Sequence, residues 1–165
     1  MFTDVEATCI SSEEDVTEAM QKTFLKSCIG LSNEMVGGAE RLREDTLEYV
    51  KMRMQFGRSI ASFQVTKHKA TDMLADVELA KSAAYYAAAA FDDGESDIAA
   101  TASIAKASAS EAYMQTAINA VQMHGGIGFT WDNDTHLWFK RAKSSEVFLG
   151  TADFHRELMM QSWDQ

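Results

Sequence analysis

Apolar residues recur with a helical period through most of this chain. Between 63 and 91 they place Met73, Val77, Ala80, Ala84 and Ala87 on one face of an uninterrupted helix. From about 97 to 123 the repeating face is built from small residues, Ala102, Ala105, Ala109, Ala112 and Ala120, and such a face lets neighbouring helices approach closely. Asp92-Asp93-Gly94-Glu95-Ser96-Asp97 separates these two helices. Upstream, Ser11 with Glu14 and Ser12 with Asp15 make two overlapping capping boxes, which start a helix near residue 12 and leave 1–11 as a lead-in. The helical period then continues to about Phe56, longer than one globular helix usually runs. Gly30, flanked by Ser27, Ser32 and Asn33, is the weakest point, so the pattern predicts a short first helix and a long second one over 31–54.

Gly57-Arg58-Ser59-Ile60 supplies the next turn, and Gly125-Gly126-Ile127-Gly128 opens an aromatic loop, Phe129-Thr130-Trp131-Asp132-Asn133. A helix from Asp134 to Ser145 and a final one from about Ala152 to Met160 follow. Three long antiparallel helices and a broken fourth make an all-α, up-and-down four-helix bundle over 12–165. Composition agrees: the 165 residues contain no proline, and 46% are hydrophobic, enough for one domain with a core.

The formal net charge is −10, and residues 1–50 carry 4 Lys/Arg against 11 Asp/Glu. No basic stripe exists to neutralise phosphates, so nucleic acid is not an expected partner. Arg53, Arg58, Lys67 and Lys69 form the only dense basic patch beside a glycine turn. Cys9 and Cys28 show neither disulfide-framework nor zinc spacing, which fits a reducing, cytoplasmic setting. The N-terminus lacks the basic and apolar regions of a leader, and no apolar run is long enough to span a membrane. The Glu-x-x-His pairs of a di-iron bundle are missing, so no metal site is expected. Nor does the chain show a nucleophile elbow or a Cys-His pairing.

Two segments remain. Arg53-Met54-Gln55-Phe56-Gly57 reads simply as a helix end, with Arg53 against the dipole, Phe56 anchoring the turn and Gly57 left-handed. Gln122 to Gly128 reads similarly, with Gly125 as the cap. Both also offer glycine-permitted backbone approaches, exposed N–H groups and polar side chains, Arg53, Gln55, Gln64 and Gln122, suited to phosphate and ribose.

Tyr49-Val50-Lys51-x-Arg53-x-Gln55-Phe56-Gly57-Arg58-x-Ile60-x-x-Phe63-Gln64-x-x-Lys67-His68 resembles a helix and turn of the acyl-CoA dehydrogenases. Gln122-x-His124-Gly125-Gly126-Ile127-Gly128-Phe129-Thr130-Trp131, followed by His136-Leu137-x-x-Lys140-Arg141-Ala142, is similar to that family's second motif. The likeness spans about 27–160 and implies the C-terminal helical domain of an FAD enzyme that dehydrogenates acyl-CoA thioesters. It implies a homo- or hetero-oligomer, dimer or tetramer, with FAD held across subunits and an electron-transfer-flavoprotein type of acceptor. Carried over, Arg53 and Gln55 face the pyrophosphate and Phe63 and Gln64 the adenosine. Gln122 with the Gly125-Gly126 backbone faces the adenine-ribose side, Phe56 belongs to the same cofactor set, and Thr151 and Asp153 lie near FAD and the acyl pocket.

The resemblance also places a catalytic glutamate immediately before Gly150-Thr151, where this chain has Leu149. Some members carry the base on the early helix, aligned with Ser27, with Glu34 nearby; a register one turn off would make it Glu146. Three readings stay open: a base-less subunit completing a partner's site, a complete enzyme with its base elsewhere, and an oligomerisation bundle without catalytic role. The isolated chain is expected to be inactive.

Overall fold

The computed structural model describes residues 3–8, 11, 13–95 and 97–163. Among the described residues five helices carry the fold: α1 Glu13–Met52, α2 Gln64–Asp93, α3 Ile98–His124, α4 Thr135–Val147 and α5 Ala152–Trp163. Two-residue strands β1 Met54–Gln55 and β2 Arg58–Ser59 pair antiparallel between α1 and α2. The expected four-helix bundle is the fold, with α4 and α5 as the broken fourth member.

One element differs from the sequence pattern. The break expected at Gly30 does not occur, and α1 is a single helix of 40 residues. A mid-helix glycine costs about 1 kcal/mol against alanine, and tertiary packing overrides it. Cys28, Ile29, Leu31 and Met35 are buried on either side of Gly30. The polar residues that suggested a break turn back onto the helix instead: Ser27 Oγ donates to Thr23 O (2.8 Å), Ser32 Oγ to Cys28 O (2.7 Å) and Asn33 Nδ2 to Ile29 O (2.9 Å). The start near residue 12 agrees with Glu13, but Ser12, like Cys9, lies outside the described residues, as do the side chains of Glu14 and Asp15.

The other end of α1 also stops earlier than the pattern predicts, at Met52, because residues 54–59 turn back as a hairpin. Phe56 and Gly57 form its corner with φ of 53° and 76°, the two left-handed residues that a tight two-residue turn needs. Ser59 Oγ lies 2.8 Å from Val50 O and 2.9 Å from Lys51 O, so one hydroxyl serves two orphan carbonyls at the helix end.

The core forms where α3 packs against α1, α2, α4 and α5. The α2 face expected from the sequence is buried throughout, as are the five alanines of α3. Met35 and Leu42 of α1, Tyr113 of α3 and Ala142 of α4 cluster with Val77, Ala80, Ala84, Ala109, Ala112 and Ala120, while Ala87, Ala102 and Ala105 pack with Ile29 in a second cluster. Tyr113 fits only because α1 has no side chain at Gly38, where an added Cβ would stand 2.8 Å from the Tyr113 Cζ and Oη atoms. Among the described residues no helix is long and apolar enough to cross a membrane, and no group of His, Cys, Asp or Glu is placed to hold a metal ion.

Gly30 and Gly38 occupy one helix with opposite surroundings, since a Cβ at Gly30 would meet nothing within 4 Å. Gly38→Ala should therefore destabilise the protein by about 1–3 kcal/mol through overpacking, while Gly30→Ala should stabilise it by about 0.5–1 kcal/mol. Urea denaturation of the two variants reads both signs; stabilisation by Gly38→Ala would exclude the close approach of Tyr113.

Candidate functional site

Two chain breaks at one end of the bundle bring the glycine-bearing segments together. The C-terminus of α1 delivers Tyr49 and Arg53, β1 delivers Gln55, and α3 ends in His124, Gly125 and Gly126. With Ile60, Met123 and Ile127 these residues line a groove of about 380 Å³. The His124 ring stacks on Tyr49 with centroids 4.2 Å apart. Its Nδ1 donates to Ala120 O at 2.8 Å, which fixes the ring against its own helix. Gly125 has a φ of +65°, and an added Cβ at Gly125 or Gly126 would meet nothing within 4 Å, so the backbone there is open to a ligand. Gly128 differs, since a Cβ would stand 2.8 Å from His124 Cβ; it is a packing glycine.

The remaining predicted residues of this end are dispersed around the groove. Phe56 sits at the hairpin corner, 90% exposed, edge-on to Phe63 at 6.2 Å. The Arg58 guanidinium lies over the Phe63 ring at 4.0 Å. Gln64 Nε2 donates to His68 Nε2 (3.0 Å) on the first turn of α2. Gln122 is exposed on the last turn of α3, outside the groove lining. Of the basic patch, Lys69 is committed to Asn119 Oδ1 at 2.8 Å.

Thr151 and Asp153 lie elsewhere. They follow the turn between α4 and α5, where Leu149 and Gly150 have φ of 61° and 106°. Lys106 of α3 bonds Gly150 O at 3.0 Å. It stands eighteen residues before His124, so the turn lies about 27 Å along α3 from the groove at 1.5 Å per residue. Thr151 Oγ1 accepts from Phe154 N at 3.4 Å and caps α5. Asp153 is exposed and pairs with Arg156 (3.3 Å), which also holds Glu111 of α3.

His155 Nε2 donates to Leu149 O at 2.9 Å, with the side chain 1% exposed. Burial holds its pKa below the ordinary 6.5, and the nearby Lys106 acts in the same direction. The Phe24 ring of α1 stacks on His155 at 6.1 Å, which brings the turn containing Ser27 beside the α4–α5 turn. Ser27 is exposed there. Glu146 is paired with Lys143 Nζ at 2.6 Å, and Glu34 is held by Arg141 through two bonds of 2.8 and 2.6 Å.

Sequence reasoning passed over Lys106 and His155 and gave Tyr49 and His124 no role. Lys106 had a legible signal, a lone cation four residues after Ala102 and three before Ala109 on the face otherwise read as core.

Residues 17–163 match the family description "Acyl-CoA dehydrogenase, C-terminal domain". The chain belongs to the acyl-CoA dehydrogenase family. It is 37% identical over 139 residues to the acyl-CoA dehydrogenase IpdE2 of Mycobacterium tuberculosis, covering 84% of this chain and 42% of that protein. Butyryl-CoA dehydrogenase from Megasphaera elsdenii superposes with a TM-score of 0.83 at 29% identity, over 87% of this chain and 37% of that one. A steroid ACAD variant superposes at 0.80 with 28% identity, over 83% and 38%. The chain thus spans about two-fifths of the length of these relatives.

The family implies FAD, and the groove has the right donor set for part of it: one guanidinium, one carboxamide and an open glycine backbone. The acyl-CoA dehydrogenase turn at Leu149 carries its own pH signature through His155. Well above pH 6.5 the ring is neutral in both folded and unfolded states and contributes no slope. As pH falls through 6.5 the unfolded chain binds the proton first, so stability should decline, by at most about 1.4 kcal/mol per pH unit. Urea midpoints between pH 7.5 and 5.5 should fall more steeply for the parent than for His155→Phe; equal slopes would mean that the ring titrates alike in both states.

Proposed function

We propose that this chain is the flavin-contacting bundle of an acyl-CoA dehydrogenase subunit that brings no proton-abstracting carboxylate of its own. The observation that carries the reading is that both positions at which the resemblance places a base are unable to serve: one is Leu149 and the other is Ser27. The two carboxylates nearest to them in sequence, Glu146 and Glu34, are each held in an ion pair, with Lys143 and Arg141. In a mixed dimer or tetramer the carboxylate that takes the α proton comes from the partner subunit. A bundle serving only for oligomerisation would have no use for the open glycine backbone beside Arg53.

When bound, FAD supplies the acceptor for the hydride that leaves the β carbon of the acyl thioester. Arg53, with Gln55 beside it, would hold the pyrophosphate. Phe63 and Gln64 would hold the adenosine, Gln122 with the Gly125-Gly126 backbone the adenine-ribose side, and Phe56 belongs to the same set. Thr151 and Asp153, about 27 Å away along α3, border the acyl pocket of a different flavin. That separation supports cofactors shared between copies, each subunit lending its groove to one FAD and its Leu149 turn to another. Likeness to the steroid ACAD supports a bulky acyl-CoA thioester as substrate, and likeness to a structure of an electron transferring flavoprotein of Acidaminococcus fermentans supports an acceptor of that type. The chain by itself should neither retain flavin nor turn over substrate.

The test is anaerobic flavin absorbance of the full-length parent, purified alone and mixed with a panel of acyl-CoAs. Bound flavin that does not bleach, but bleaches once a base-bearing partner subunit is added, is the expected result; bleaching of the parent alone would overturn the base-less reading. Separately, Arg53→Ala in the full-length protein should weaken FAD binding by about 1.5–3 kcal/mol, the range for a charged hydrogen bond. Unchanged affinity by flavin fluorescence titration would return Arg53 to a helix-end role.

A further inference from the structure

Two buried side chains hold the α4–α5 turn from inside the bundle, and neither belongs to a flavin motif. Lys106 is fully buried, with 0% of its surface exposed. Its Nζ donates to Gly150 O (3.0 Å), Glu146 O (3.3 Å) and Ser110 Oγ (2.9 Å), which uses all three ammonium protons. His155 Nε2 takes Leu149 O from the other side at 2.9 Å. The carbonyls of residues 146, 149 and 150 are thereby anchored to α3 and α5.

The backbone between these anchors is in a conformation its sequence does not favour. Leucine at a φ of +61° lacks the short polar side chain that lets Asn or Asp settle there. The turn closes on one bond of its own, Gly150 N to Val147 O at 3.3 Å, and the donors that hold it from outside are Lys106 and His155. Nor does the ammonium answer a buried carboxylate. Cys28 and Glu146 are its electrostatic neighbours; Cys28 is a buried thiol, and Glu146 pairs with Lys143 through its side chain. An unpaired buried cation is costly where an apolar side chain would pack, so its contribution here is directional, three aimed bonds to one turn.

We infer that Lys106 is the positioning residue of this turn: with His155 it locks residues 149–150 in the left-handed conformation and so sets how side chain 149 and Thr151 face the flavin and acyl site. This rests on the proposed function for the site itself. The lock acts on the backbone, so it serves whatever residue stands at 149. The chain keeps the mounting for a side chain at the base position while carrying a leucine there.

The experiment uses the full-length flavoprotein with Lys106→Met, which keeps the buried stem and removes the donors. Val77→Ala in the core of α2 is the control, and hydrogen exchange, FAD release and thermal midpoint are measured for both. In Lys106→Met, amide exchange over 149–154 and FAD release should each rise at least tenfold. Val77→Ala, matched by its loss in thermal midpoint, should leave both near parental values. Equal effects in the two variants, or unchanged exchange over 149–154 in Lys106→Met, would overturn the inference. Faster exchange with unchanged FAD release would reduce Lys106 to a structural residue and overturn its positioning role. Should Lys106→Met fail to fold, His155→Phe removes the bond to Leu149 O while keeping a ring beside Phe24, and is held to the same criteria. A parent that never holds flavin overturns the proposed function and the flavin half of this inference together; the exchange measurement then judges the lock by itself.

Discussion

The close approach that α3 permits its neighbours is the constraint on which this fold depends. Its buried face is alanine, serine and threonine almost throughout, so four other helices can pack against one central rod without competing for space. Short side chains bury little apolar area each, and the larger residues of the cluster, Met35, Leu42 and Tyr113, fill the gaps between layers. Tyr113 shows how tight the fit is, since it occupies the volume that any side chain at Gly38 would need. Hydroxyls in this interior are accommodated partly by bonding back along their own helices, as Ser32, Thr46 and Ser110 do.

A bundle whose interior is this closed has its chemistry at the breaks, where helix ends leave backbone groups without intrahelical partners. The two breaks are used in opposite senses. At the Gly125-Gly126 corner the backbone is left open and faces a groove with Arg53. At the Leu149-Gly150 corner the carbonyls are taken up internally by Lys106 and His155, so what faces outward there is the side chains and the start of α5. Both corners depend on positive φ, but only the first obtains it mainly from glycine; Leu149 is held there by its neighbours. The distance between the corners follows from the length of α3.

Much of the fold was legible in the sequence because helical periodicity is local information. The faces of α2 and α3 were read residue by residue, and all ten positions named for them are buried. Gly30 misled because a propensity of about 1 kcal/mol is outweighed by burying Cys28, Ile29, Leu31 and Met35 around it, and burial depends on partners that local pattern does not contain. The hairpin after Met52 was read only as a helix end, since a two-residue strand pair has no periodicity to detect.

The site was legible in the same divided way. Arg53, Gln55, Gly125 and Gly126 stand in motifs whose spacing survives in sequence, and the structure brings these four to one groove. By itself the sequence determined the helices, the glycine corners, the family and the leucine at position 149, since each is carried by residue type and local spacing. Only the tertiary structure decided that α1 runs unbroken, that Thr151 lies far from Arg53, and that Lys106 and His155 grip the turn at Leu149. Those outcomes depend on which surfaces meet, for Lys106 and Gly150 across 44 residues of sequence and for His155 and Leu149 across six, where packing and hydrogen-bond geometry outweigh local preference.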